Sequence, residues 1–149
     1  MPKVMSTVSN RFQWALHYDI SNGYDHLPKH PESRPYFAFE LDGRYYQPTT
    51  LVMGETCATW AFQVLLHNLF KAFLAESNFT FRVVKKQHID DLLFLFHSKA
   101  QALVFRDQWH AFASRIGLQL SLDKSVTTPT QYVDHIGFML DLKAHTCRL

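Results

Sequence analysis

The chain has 149 residues and little of several things that would place it quickly. It has two cysteines, Cys57 and Cys147, at no metal-ligand spacing, which leaves no disulfide framework and points to a reduced, intracellular setting. It has no apolar run of the ~18 residues that a bilayer-spanning helix needs, so no membrane partner is expected. The opening Met1–Asn10 is too short and too polar for a secretory signal. No internal repeat or low-complexity stretch occurs. Net charge is scant: the formal value is +2. A free-standing nucleic-acid binder is usually more basic, because phosphate neutralisation dominates its affinity. Nine histidines are many, and His17, His26 and His30 fall close together, but without a zinc spacing.

What is abundant is apolar and aromatic mass. Hydrophobic residues make up 47% of the chain and thirteen are phenylalanine, enough for a dense core within one domain over 1–149. Inside this apolar sequence sits an unusual pair, Asp90-Asp91, in Gln-His-Ile-Asp-Asp-Leu-Leu-Phe-Leu-Phe (87–96). Phe79 to Val84 alternates apolar and polar residues, and Leu92 to Phe96 is continuously apolar. The pattern predicts a β-hairpin with the two acids at its turn. Crowded like charges are costly unless compensated, and oxygen ligands suit Mg²⁺ or Mn²⁺. A solvated turn between two core strands is the alternative.

A third acid, Asp19, ends the loosely alternating stretch Phe12-Gln-Trp-Ala-Leu-His-Tyr-Asp. Helical spacing follows over Thr56–Glu76, through Phe62, Leu66, Leu69 and Phe73, and again over about 99–116, where Gly117 reads as a C-cap. A final strand is expected at about Tyr132–Leu140 and an inserted hairpin at 36–47. The expected fold is α+β: a ferredoxin-like split βαββαβ pattern, an antiparallel sheet with helices on one face. In that topology the first and third strands are antiparallel neighbours, so Asp19 and Asp90-Asp91 meet at one end of the sheet. Three convergent carboxylates suit two-metal phosphoryl transfer, in which two ions ~3.5–4 Å apart serve the attacking and leaving oxygens.

These blocks, in this order, resemble the palm of reverse transcriptases from retrotransposons and retroviruses, from about Phe12 to Leu149. Asp19-Ile-Ser-Asn-Gly-Tyr24 resembles the first catalytic block and Leu51-Val-Met-Gly54-Glu-Thr-Cys-Ala58-Thr the glycine-containing block. His88-Ile-Asp90-Asp91 resembles the aromatic-x-Asp-Asp signature. Gly117-Leu-Gln-Leu-Ser-Leu-Asp-Lys124-Ser resembles the lysine block, and Asp134-His-Ile-Gly137-Phe138 the primer grip. The resemblance implies that Asp19, Asp90 and Asp91 are catalytic and ligate Mg²⁺ or Mn²⁺. It implies that Tyr24, Gly54 and Lys124 meet the nucleotide, Tyr24 as a steric gate against a ribose 2′-hydroxyl, and that Gly137 and Phe138 hold the primer. RNA template and DNA primer are the implied partners. The plainer alternatives are a buried tyrosine, a turn glycine and a solvated lysine.

Two departures stand out. His88 occupies a place usually held by tyrosine, and Thr59 one commonly held by proline. Little chain precedes Asp19, so the resemblance further implies a palm whose fingers and thumb are largely missing or come from a partner chain, with self-association as another way to cover its surfaces. Two classes of function stay open: an RNA-directed DNA polymerase palm, inactive as an isolated chain, or a non-catalytic, retroelement-derived scaffold within a larger assembly.

Overall fold

The computed structural model describes residues 12–149; Met1–Asn10, read above as no secretory signal, lies outside them. The centre is a four-stranded antiparallel sheet built from β1 (Trp14–Ile20), β4 (Val84–His88), β5 (Asp91–Phe96) and β6 (Leu120–Thr130), in the order β4-β5-β1-β6. Helices α1 (Ala58–Glu76) and α2 (Lys99–Ile116) provide the two crossovers. The split βαββαβ fold is therefore present.

Residue chemistry explains the helix limits. Ser98 caps α2 in a capping box, its hydroxyl accepting from the Gln101 backbone while the Gln101 side chain reaches back. Gly117 ends it at φ 75, a left-handed conformation that glycine adopts without a Cβ penalty. The inserted hairpin is β2 (Phe39–Leu41) and β3 (Arg44–Tyr46), turning through Asp42 and Gly43, both at positive φ.

The apolar run of β5 has a direct cause. Leu92, Phe94 and Phe96 join Leu16, Tyr18 and Ile20 of β1 beneath the helices, packed on Phe62, Phe70, Phe73, Phe105 and Trp109. Leu93 and Leu95 point the other way, with Ala15, toward Val133, Leu140 and Leu142. A strand covered on both faces needs no polar alternation. The helix-side core is an aromatic cluster: Phe94 lies 4.6 Å from Phe105 and 5.5 Å from Phe70 between ring centroids, and Phe73 lies 5.1 Å from Trp109.

Two strand boundaries differ from expectation. Phe79–Val84 is not the first arm of the hairpin; β4 is, with the sequence Val-Lys-Lys-Gln-His. Phe79 and Phe81 pack instead as rings against the helix-side cluster. A strand this polar is tolerated because β4 is an edge. The fourth strand of the sheet is not Tyr132–Leu140 but β6. Residues 132–148 form a separate antiparallel sheet of β7 (Tyr132–His135), β8 (Phe138–Asp141) and β9 (Thr146–Arg148), whose Val133 and Leu140 belong to the core on the face away from the helices. β6 escaped a pattern reading because Asp123-Lys124-Ser125 breaks its apolar alternation and Pro129 lies inside it, which an edge strand permits.

Candidate active site

The β1–β5 ladder runs six pairs without a break, from Trp14↔Phe96 to Asp19↔Asp91. Asp19 thus faces Asp91 across the ladder, next to the turn that carries Asp90. That turn consists of Ile89 and Asp90 between the paired His88 and Asp91. Ile89 sits at φ 53, a region costly for a β-branched side chain by about 1–3 kcal/mol. The turn is tied to β1 by the Ile20 N–H, which donates to the Asp90 carbonyl at 3.3 Å, and Ile89 packs against the helix-side core.

On the other side of β1 the pairing is irregular. His17 pairs with Val126 and Asp19 with Ser121, so β6 advances five residues where β1 advances two. The extra residues, Lys124 among them, form a bulge beside Asp19. Ser125 fills the gap in the ladder: the Asp19 N–H donates to its Oγ at 3.0 Å, and that hydroxyl donates to the Ser121 carbonyl at 2.6 Å.

These features frame an open cavity of about 780 Å³ lined by Asp19, Asp90, Tyr24, Lys124, Phe62 and Met53, among others. That volume lies in the range of small-molecule sites. The Asp19 carboxyl is pushed above its usual range, first by burial and then by the charge of Asp90; Lys124 and a hydrogen bond with Ser121 oppose the shift, and Asp91 adds a smaller upward push. Asp19 and Asp90 are thus two acids in one cavity with a lysine beside them.

Asp91 is placed differently. It does not line the cavity; its Oδ1 lies 3.2 Å from His17 Nε2, close but off the hydrogen-bond direction. The His17 ring in turn meets His135 of β7 edge-on at 5.6 Å. Among the described residues no group of three or more His, Cys, Asp or Glu side chains is arranged to hold a metal ion. The donors present fit a divalent cation held by Asp19 and Asp90 with phosphate oxygens completing its shell, as Mg²⁺ usually binds.

The other sequence-derived candidates divide. Tyr24 lines the cavity, its hydroxyl 2.9 Å from Thr59 Oγ1 and its ring edge-on to Phe62. Gly54, at φ 90 before α1, is demanded by its backbone conformation; it lies outside the cavity lining, and a Cβ there would meet open space. Gly137 and Ile136, at φ 77 and 49, turn β7 into β8, and Phe138 packs against the second core; neither Gly137 nor Phe138 lines the cavity. Sequence reasoning noted His17 only as one of three neighbouring histidines and missed its place beside Asp91, along with Ser121, Ser125 and the contact between Gly23 and Phe62. The polar interruption Ser-Leu-Asp-Lys-Ser was the available signal for the bulge.

The family model for reverse transcriptase (RNA-dependent DNA polymerase) matches residues 3–140. The chain belongs to the reverse transcriptase family. A foamy viral protease-reverse transcriptase in complex with double-stranded DNA has a similar fold, with TM-score 0.73 and 22% identity over 87% of this chain and 26% of that one. The same viral protein in complex with an RNA/DNA hybrid matches with the same score and identity over 87% of this chain and 16% of that one. A mutant of the prototype foamy virus protein matches at TM-score 0.71 and 21% identity over 93% and 16%. The reverse transcriptase domain described here therefore spans about a quarter or less of the solved chains it resembles. No curated protein sequence matches it. No helix among its described residues is long and apolar enough to cross a membrane.

Proposed function

We propose that this domain is the palm of an RNA-directed DNA polymerase, adding nucleotides to a primer 3′-hydroxyl on an RNA template. The observation that carries the reading is the meeting of Asp19, Asp90 and Lys124 at one cavity, on strands in palm order. Asp19 and Asp90 would hold Mg²⁺ or Mn²⁺, and Asp91 would join on release from His17. The bound ions would supply charge neutralisation and orientation for in-line displacement. Lys124 presents a cation to the triphosphate end. Tyr24 forms a wall of the cavity and, in this reading, crowds a ribose 2′-hydroxyl. Gly54 lets a base or sugar approach closely, and Gly137 with Phe138 supports the primer end.

Positioning supplies most of the catalysis in phosphoryl transfer. Primer extension is therefore expected only when regions that grip the duplex are present, from more chain or from a partner. The test is a calorimetric Mn²⁺ titration. Weak binding to the wild type that is weakened further in Asp90→Asn supports the reading; equal affinity overturns it. A second reading, a non-catalytic scaffold, is favoured by the placement of Asp91 beside His17 and outside the cavity, and equal affinity is the result it expects.

A further inference from the structure

Thr59 stands in the first turn of α1, with its hydroxyl 2.9 Å from that of Tyr24. Both residues are partly buried, and they come from segments well separated in the chain. Proline, the residue commonly found there in the resembling block, has no hydroxyl to offer. A further contact holds the same ring. Phe62, one turn along α1, meets Tyr24 edge-on at 5.9 Å between centroids. Gly23 lets Phe62 come that close: a Cβ on residue 23 would lie 2.6 Å from the Phe62 ring, nearer than real Cβ atoms approach. Tyr24, Phe62 and Gly23 all line the cavity that holds Asp19 and Asp90.

We propose that Thr59 is a positioning residue for Tyr24, and that their hydroxyl–hydroxyl bond sets how strongly the cavity prefers deoxyribonucleoside over ribonucleoside triphosphates. The inference rests on the reading of Tyr24 as a wall against the sugar. A tyrosine ring turns about two side-chain torsions. Packing on Phe62 and the helix-side core restrains the ring, and a bond at its far end restrains it further. A ring so tethered cannot give way to an extra 2′-hydroxyl. An untethered ring can tilt and admit it, so loss of the tether improves ribonucleotide binding more than it harms deoxyribonucleotide binding.

The experiment is equilibrium titration of the protein with dATP and with ATP in the presence of Mn²⁺, followed by the fluorescence of Trp60, which adjoins Thr59 and is 69% exposed. The proteins compared are wild type, Thr59→Val, Thr59→Ser, Tyr24→Phe and the Thr59→Val/Tyr24→Phe pair. Thr59→Val keeps the shape and deletes the hydroxyl. It is expected to reduce the dATP-over-ATP preference by about threefold to tenfold, the range a single neutral hydrogen bond supports. Tyr24→Phe should reduce it similarly, and the double variant no further, since both remove one bond. Thr59→Ser retains a hydroxyl and should retain the preference. A purely structural role for Thr59 predicts that both nucleotides shift together, leaving the ratio unchanged. If wild type prefers dATP and Thr59→Val prefers it equally, the inference fails while the reading of the cavity stands. If wild type binds ATP as well as dATP, the gate reading fails and the inference fails with it.

Discussion

β5 and β6 flank β1 on its two sides, one in an unbroken six-pair ladder and the other with two register shifts. The regular side is a framework. It is buried on both faces, and its register sets Asp91 opposite Asp19 and the Asp90 turn beside it. The irregular side is an edge strand that gives up ladder hydrogen bonds to swing Lys124 over the cavity, with Ser125 standing in for the lost partner of Asp19. The regular side thus supplies the acid turn, and the irregular side supplies the lysine.

The largest expected effect comes from breaking the framework. Phe94→Ala removes a fully buried ring that touches Phe70, Phe105 and Trp109 and should cost about 3–5 kcal/mol in urea unfolding. Val126→Ala, at a half-exposed position on β6, should cost about 1 kcal/mol or less. Comparable losses would abolish the contrast between the two strands.

Next comes the split between the adjacent acids. Asp90→Asn should weaken Mn²⁺ binding by about tenfold or more, at least the loss that removing an outer-shell partner causes. Asp91→Asn should weaken it less, because Asp91 faces His17 and not the cavity. Equal losses in calorimetry would mean that the ion depends on Asp91 as much as on Asp90.

A smaller effect tests the bulge. Ser125→Ala leaves the Asp19 N–H and the Ser121 carbonyl without their shared partner and should cost about 1–2 kcal/mol by chemical denaturation. No loss would mean that the bulge holds its shape without the serine.

The smallest effect has the opposite sign. Asp19 has a raised pKa in the folded protein, so the folded state binds its proton more tightly than the unfolded chain does. Stability from this group is present at acid pH and is lost as pH rises from the usual carboxylate range through the raised value. Asp19→Asn should therefore raise the melting temperature slightly at a pH above the carboxylate range, because it removes the charge that burial and Asp90 disfavour. The gain should vanish at acid pH, where Asp19 is protonated in both states. Calorimetric scans at the two pH values decide it; a gain that persists in acid would trace to packing and not to charge.

What could be read beforehand follows from how local each signal is. Both helices were legible because their apolar faces recur at helical spacing and because Gly117 punctuates α2. The hairpin turn at Asp90 was legible, but its first arm was placed on Phe79–Val84, since alternating rings look the same whether they enter a ladder or pack on a helix. The Lys124 block was legible as sequence, whereas the strand that carries it was not. Its bulge is defined by which residues pair across β1, and no local pattern encodes a pairing.

The sequence by itself determined the two helices, the apolar identity of β5 and the presence of three acids at positions that topology would bring to one sheet end. It could do so because side-chain periodicity and turn chemistry act over a few residues. Only the tertiary structure decided that Asp19 and Asp90 share a cavity while Asp91 turns to His17, that β6 rather than the 132–140 segment completes the sheet, and that Thr59 meets Tyr24. Each of these depends on strand alternation, register or the meeting of separated segments. A one-residue change in pairing sends a side chain to the opposite face, so such placements are fixed by the packed sheet as a whole.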